Sequence, residues 1–199
     1  MNKLIINTAF DFADYIVIKG DKVFSKKASK ANKHSESALP FIDQLLTEAG
    51  ITIKDIDVYA VNVGPGSFTG IRIGVALLKG FNCAVNEKNI VVFNSFEPIA
   101  FANKTAKHIV FVASKDDYYV CDCQNGFVKK CFTLQNDEVA KLNDVIFFNE
   151  NYDTCQLVDF INYKTENNNF ANVNETNPLY LKLSQAEKEL LKKENFNVD

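Results

Sequence analysis

Residues 61–74, Val-Asn-Val-Gly-Pro-Gly-Ser-Phe-Thr-Gly-Ile-Arg-Ile-Gly, hold the residue types from which a phosphate cradle or a nucleophile could be built. Glycines ahead of an apolar helix-forming run let backbone N–H groups approach an anion at a helix N-terminus. The spacing defeats the specific versions of that chemistry. A Walker A loop needs a lysine after its second glycine, and Ile71 follows Gly70. A dinucleotide turn needs Gly-x-Gly-x-x-Gly, whereas the spacing here is Gly64-x-Gly66-x-x-x-Gly70, and Asn94 stands where the next strand should end on an acid. Pro65 removes a backbone donor. Ser67 lacks the G-x-S-x-G elbow of a hydrolase. The stretch therefore reads as architecture: Gly64, Pro65 and Gly66 turn a strand sharply into a helix that Ser67 or Thr69 caps.

The other reactive side chains are scattered. Cys83, Cys121, Cys123, Cys131 and Cys155 are odd in number and widely spread, which suits reduced core thiols better than a disulfide framework. Cys121-x-Cys123 falls on one face of a strand, and a metal there would need further ligands from Cys131 or the distant His108. Neither His34 nor His108 has a metal-ligand neighbour in sequence, so no metal and no cofactor is expected. A net charge of −3 excludes a chain with an overall basic, nucleic-acid-binding face. With 47% hydrophobic residues and no run of membrane-spanning length, a soluble globular protein is expected. Asp11 and Asp14 interrupt any signal-peptide core, so a cytoplasmic location is expected.

The elements that must position these residues follow from periodicity and punctuation. Strands are predicted at 3–9, 13–19 and 22–28, then a helix at 35–49 closed by Gly50. A buried strand at 56–63 leads through the glycine turn into a helix at 69–86, followed by a strand at 89–93 and a short helix to 103. The pattern restarts with strands at 108–114 and 118–123, a third strand "FVKKCFTL", a short helical stretch, a strand at 144–148 and a helix at 154–163. Three strands, helix, strand, helix thus occurs twice without an accompanying sequence repeat. The division is residues 1–103 for a first lobe, 104–165 for a reduced second lobe, and 166–199 for an Asn-rich loop and a C-terminal helix at 184–194. Ser184 and Glu187 would form that helix's capping box.

Helix 69–86 is apolar nearly all round, and helix 35–49 spreads its apolar residues too widely for one stripe. Two arrangements satisfy this. Each helix is sandwiched within its own chain, or the two lie side by side and offer a shared apolar face to a partner. Under the second, Leu39, Ile42, Leu46, Ile73, Leu77 and Phe81 line the face, and Gly70 and Gly74 leave a smooth strip for a partner helix. Arg72 and Lys79 then sit together as a solvated rim or a polar contact. Replacing Gly74 by leucine separates the alternatives: a partner-facing glycine predicts lost binding with stability kept, a core-facing one predicts destabilisation.

"HSESALPFIDQLLTEAG", "VGPGSFTGIRIGVALLKGF" and "NPLYLKLSQAEKEL", in that order, closely resemble motifs of the TsaB (YeaZ) family. The resemblance implies an α/β fold of the actin-like, Hsp70-like (ASKHA) class, with two βββαβα-type lobes, the second reduced. It implies a part in forming threonylcarbamoyladenosine next to the anticodon of tRNAs, as the non-catalytic partner of a TsaD-type catalytic subunit. A TsaE-type ATPase would join the larger complex, the chain alone could form a homodimer, tRNA would be met only indirectly, and no membrane is involved. The family commonly reads Asp-Thr-Ser where this chain has Asn7-Thr8-Ala9, and often carries Asp where Ser114 stands. TsaD-like catalysts carry two histidines one helical turn apart, whereas His34 is followed by Ala38. These departures imply a pseudo-enzyme. The rival reading, a nucleotide-dependent ATPase or small kinase of the same fold, would have to recruit Asp116 or Asp117.

Overall fold

A computed structural model of the chain describes residues 1–29, 34–85 and 88–182; the helix expected at 184–194 and the side chain of His34 lie outside the described residues. The first sheet contains β1 (Asn2–Asn7), β2 (Ala13–Lys19), β3 (Lys22–Ala28), β4 (Val58–Asn62) and β5 (Asn89–Phe93) in the order β3-β2-β1-β4-β5. β1, β2 and β3 form an antiparallel meander, and β4 and β5 run parallel to β1, with Ile5 opposite both Ile16 and Ala60. Strands covered on both faces read as unbroken apolar runs, which is why β4 is buried at every position. The edge strand β3 alternates and carries Lys22, Lys26 and Lys27, which protect an open edge.

The second sheet contains β6 (His108–Val112), β7 (Asp117–Gln124), β8 (Phe127–Gln135) and β9 (Val145–Phe147) in the order β8-β7-β6-β9. It reproduces the first four positions of the first sheet with the same strand directions and has no fifth strand among the described residues. This is the two-lobed actin-like architecture with a reduced second lobe.

Helices α1 (His34–Ala49) and α2 (Phe68–Ala84) lie side by side on one face of the first sheet, where α2 packs over Ile6 and Val61. Helix α5 (Thr154–Glu166) covers the other face, where Lys3 reaches Asn162 and Lys164 Nζ donates to Val92 O at 2.7 Å. Helix α3 (Glu97–Ala102) packs on α5 and β8, between the two sheets, and a single turn, α4 (Asn136–Val139), sits on the second sheet. Caps set the ends. Gly50 takes a positive φ of 62°, and the Ile51 amide reaches back to Leu46 O, closing α1. Asn94 Oδ1 accepts from the amides of Phe96 and Glu97 while Glu97 Oε2 accepts from the Asn94 amide, which starts α3.

The lobes meet in an aromatic cluster of Phe10, Phe96, Phe111, Phe148 and Tyr152. Tyr152 Oη donates to Ser95 O at 2.6 Å, and complete burial raises its hydroxyl well above the usual phenol range. Beside this cluster, Lys27 Nζ bonds Asn151 Oδ1, lies 3.3 Å from Tyr152 O and 3.2 Å from Asp14 Oδ1. β3 and the segment after β9 are thereby latched together.

Candidate interaction face and interlobe cleft

The glycine turn closes on its own chain. The Ser67 amide donates to Ala9 O at 2.7 Å, and the Gly64 amide donates to Asn62 Oδ1 at 2.9 Å. Ser67 caps α2, its Oγ accepting from the Gly70 amide at 3.2 Å, while Thr69 stands exposed on the first turn. A Cβ at Gly66 would lie 2.1 Å from Ala9 O, and one at Gly70 would lie 1.9 Å from Thr8 O, so these glycines allow the turn to press onto the end of β1. With those amides engaged and Pro65 lacking one, three of the four turn positions offer no free donor to a phosphate.

Next to the turn a cleft of about 430 Å³ opens between the lobes, lined by Phe10, Ser67, Phe68, Ser114, Tyr119 and Lys182 among others. The two positions where the resemblance implied carboxylates are occupied by internal hydrogen bonding. Asn7 is fully buried; its Nδ2 donates to Asp14 Oδ2 at 2.8 Å, and its Oδ1 accepts from Asn62 Nδ2 at 2.9 Å. Burial raises the Asp14 carboxyl above its usual value, opposed by the hydrogen bond from Asn7 and by Lys27. In the second lobe Ser114 Oγ donates to Asp117 Oδ2 at 2.9 Å, and Lys182 Nζ lies 2.5 Å from that oxygen and 3.0 Å from Ser114 Oγ. Asp117 is thus ion-paired, and Asp116 points to solvent. His108 is on the second sheet, 3.0 Å from Asp122. Among the described residues no three His, Cys, Asp or Glu side chains are grouped to hold a metal ion.

Residues 177–182 form a strap across this cleft that sequence reasoning did not anticipate. The Leu179 amide donates to Val63 O at 2.7 Å. Tyr180 stacks on Phe68 with ring centroids 4.6 Å apart, and its hydroxyl accepts from Arg72 Nε at 2.7 Å. Lys182 then reaches the second lobe. Arg72, exposed on α2, is thus engaged through its Nε within the chain, while Lys79 is half-exposed.

The helix pair divides its apolar residues between two directions. On α2, Gly70, Ile71, Gly74, Val75 and Leu78 face the first sheet, and Asn82 is buried with its Oδ1 accepting from the Lys88 amide. A second stripe, Ile73, Ala76, Leu77, Gly80 and Phe81, faces outward. With Ser35 and Leu39 of α1 it lines an apolar groove of about 370 Å³. Leu39 is 54% exposed.

Four residues expected on the partner face are not there. Ile42 and Leu46, 2% and 7% exposed, belong to the core stripe of α1. Gly70 and Gly74 press against β1, where a Cβ at Gly74 would lie 2.6 Å from Thr8 Oγ1. The smooth strip serves the chain's own sheet. The glycine on the outer face is Gly80, around which nothing lies within 4 Å of an added Cβ.

Comparison with known proteins supplies relatives for this arrangement. The family model described as TsaD, tRNA N6-adenosine threonylcarbamoyltransferase, matches residues 23–120. The tRNA threonylcarbamoyladenosine biosynthesis protein TsaB of Buchnera aphidicola subsp. Schizaphis graminum is 33% identical over 82 residues, 41% of this chain and 39% of that protein. The Escherichia coli protein of the same description is 32% identical over 80 residues, 40% of this chain and 35% of that one. The chain thus spans well under half the length of these curated relatives. The structure of YeaZ from Pseudomonas aeruginosa superposes with a TM-score of 0.73 at 17% identity, covering 90% of this chain and 99% of that one, a likeness of fold.

Proposed function

We propose that this chain, which belongs to the TsaB (YeaZ) family, is a non-catalytic subunit of the system that forms threonylcarbamoyladenosine on tRNA. Its role is to pair, through α1 and α2, with a TsaD-type catalytic subunit and activate it. The observation that carries this reading is the outward apolar stripe Ile73-Leu77-Phe81 facing Leu39 across an open groove. A helix that already buries one stripe in its own core gains nothing internally from a second, and that surface lowers its free energy only by leaving water. Two helices can supply the roughly 800 Å² per partner of a standard interface. Without TsaD the same face would be covered by a second copy of the chain, and a TsaE-type ATPase would join the larger assembly. tRNA is met through the catalytic partner, in the cytoplasm. No helix among the described residues is long and apolar enough to cross a membrane.

The absence of chemistry of its own is supported by the cleft. Where the resemblance implies a carboxylate in each lobe, the first position is the neutral Asn7, and Asp117 beside the second is held in an ion pair with Lys182. The test is co-expression with the TsaD-type protein followed by size exclusion. The two proteins are expected to elute together, and Leu39→Asp with Leu77→Asp is expected to separate them while each stays folded. Separate elution of the unmodified pair overturns the pairing. Metal-dependent ATP turnover by the chain alone, lost on Asp116→Ala, would establish the rival reading of an actin-fold ATPase.

A further inference from the structure

Three of the five cysteines converge on one side of the β7–β8 hairpin, a feature that the pairing function does not use. Cys121 and Cys131 are directly opposite each other in the antiparallel register, and Cys121 is fully buried whereas Cys131 is half-buried. Cys121 and Cys123 stand two residues apart on β7 and share a face, with their Sγ atoms 3.5 Å apart; the extra residue of the adjoining bulge, Lys129, belongs to β8. Cys121 therefore sits between two thiols, one on its own strand and one across the ladder. We propose that this hairpin carries an oxidative modification site in which hydroperoxides convert Cys131 and Cys121 to a cross-strand disulfide.

The geometry meets the requirements of each step. Residues directly opposite in an antiparallel pair hold their Cβ atoms about 4.5–5.5 Å apart, and a disulfide needs about 3.5–4.5 Å, so closure takes a strand movement of roughly 1 Å. Cys131 is the member of the cross-strand pair that peroxide reaches, since it is only half-buried and Cys121 is fully buried. Hydrogen bonding with Cys121 lowers the thiols of both Cys131 and Cys123 and favours their thiolates, while the same contacts and burial hold Cys121 protonated. The Cys131 thiolate attacks one peroxide oxygen, giving a sulfenic acid and expelling hydroxide (or alkoxide). That base removes the proton from Cys121, and the new thiolate attacks the Cys131 sulfur, forming the S–S bond and releasing hydroxide, which leaves as water. Two thiols and one hydrogen peroxide thus become one disulfide and two waters, the two electrons passing from sulfur to oxygen.

The competing thiols can be removed without touching the site, because Cys83 and Cys155 are exposed elsewhere. The full chain carrying Cys83→Ser and Cys155→Ser is treated with hydrogen peroxide, alkylated, and digested with trypsin, which cuts at Lys129 and Lys130 between the two strands' cysteines. The intact mass is expected to fall by about 2 Da, two hydrogens lost per disulfide. A peptide carrying Cys121 should be found linked to the one carrying Cys131, and a reductant should release it. In Cys131→Ser the linked pair should vanish, and in Cys123→Ser it should persist. Full alkylation of all three thiols after peroxide treatment overturns the proposal. So does a link confined to Cys121 and Cys123, or oxidation of Cys131 that stops at a sulfenic or higher acid with Cys121 still free.

Discussion

Gly74→Ala tests the seating of α2 with a single methyl group. The added Cβ would lie 2.6 Å from Thr8 Oγ1, 3.4 Å from Val61 Cγ2 and 3.7 Å from Ile6 Cγ2. The first distance is about 1 Å inside an optimal nonbonded contact of roughly 3.5–4.0 Å. Thr8 is fully buried, and its Oγ1 donates to Gly70 O at 2.6 Å, so it cannot retreat without giving up that bond. Overpacking of this kind costs about 1–3 kcal/mol, and the weakened hydrogen bond adds about 1 kcal/mol. Alanine returns up to about 1 kcal/mol of helix propensity. The balance is a loss of about 2 kcal/mol, which for a chain of this size lowers the melting temperature by roughly 4–8 °C. Gly80→Ala is the control: nothing lies within 4 Å of its Cβ, so only the propensity gain operates. Its melting temperature should rise by about 2–4 °C, from up to about 1 kcal/mol, while the methyl narrows the groove and weakens association. Thermal melts followed by circular dichroism read both. A Gly74→Ala protein that melts at or above the parent temperature, with Gly80→Ala destabilised, would show that the phase of α2 is wrong.

Tyr180→Ala removes the stack on Phe68 and the acceptor of Arg72, and should cost about 1–2 kcal/mol from an aromatic pair and a charge-assisted hydrogen bond. Limited proteolysis should then cut faster at Lys182, and an unchanged digestion rate would mean that the strap is not held there. For Asp14, a folded-state carboxyl raised by burial binds its proton more tightly than the unfolded chain does. Its contribution to stability is complete below the unfolded value and lost as pH rises through the folded one. Asp14→Asn should therefore compare more favourably with the parent at pH 7 than at pH 4, and melts showing the reverse would mean that Asn7 and Lys27 outweigh burial.

The strand–helix order of both lobes was legible because alternation, capping residues and glycine stops are local signals, down to Gly50; that Ser67 and not Thr69 caps α2 was decided only by the bond from the Gly70 amide. The excess of apolar residues on α2 was legible as well. What composition could not settle was phase. Gly70 and Gly74 share a turn-to-turn spacing with Ile73 and Leu77, but one residue of offset rotates a position by about 100°, and only the contact with Thr8 assigns the glycines to the inner side. Ile42 and Leu46 were misplaced for the same reason: α1 has a single buried stripe and offers Leu39 outward. The neutrality of Asn7 could be read directly, whereas the pairing of Asp117 could not, since Lys182 lies 65 residues away and no periodicity links the two. The strap itself is an extended segment without alternation long enough to announce a partner.

That strap and the Lys27 latch lie at different places along the junction of the lobes. One ties Val63, Phe68 and Arg72 to Ser114 and Asp117; the other ties β3 to Asn151 and Tyr152. A two-lobed molecule fastened at one point can swing like a door, but one fastened at two separated points behaves as a frame. Changing the angle between the lobes then requires breaking contacts at both places. A partner docked on α1 and α2 as proposed would meet a face whose two supporting lobes separate only when both ties give way.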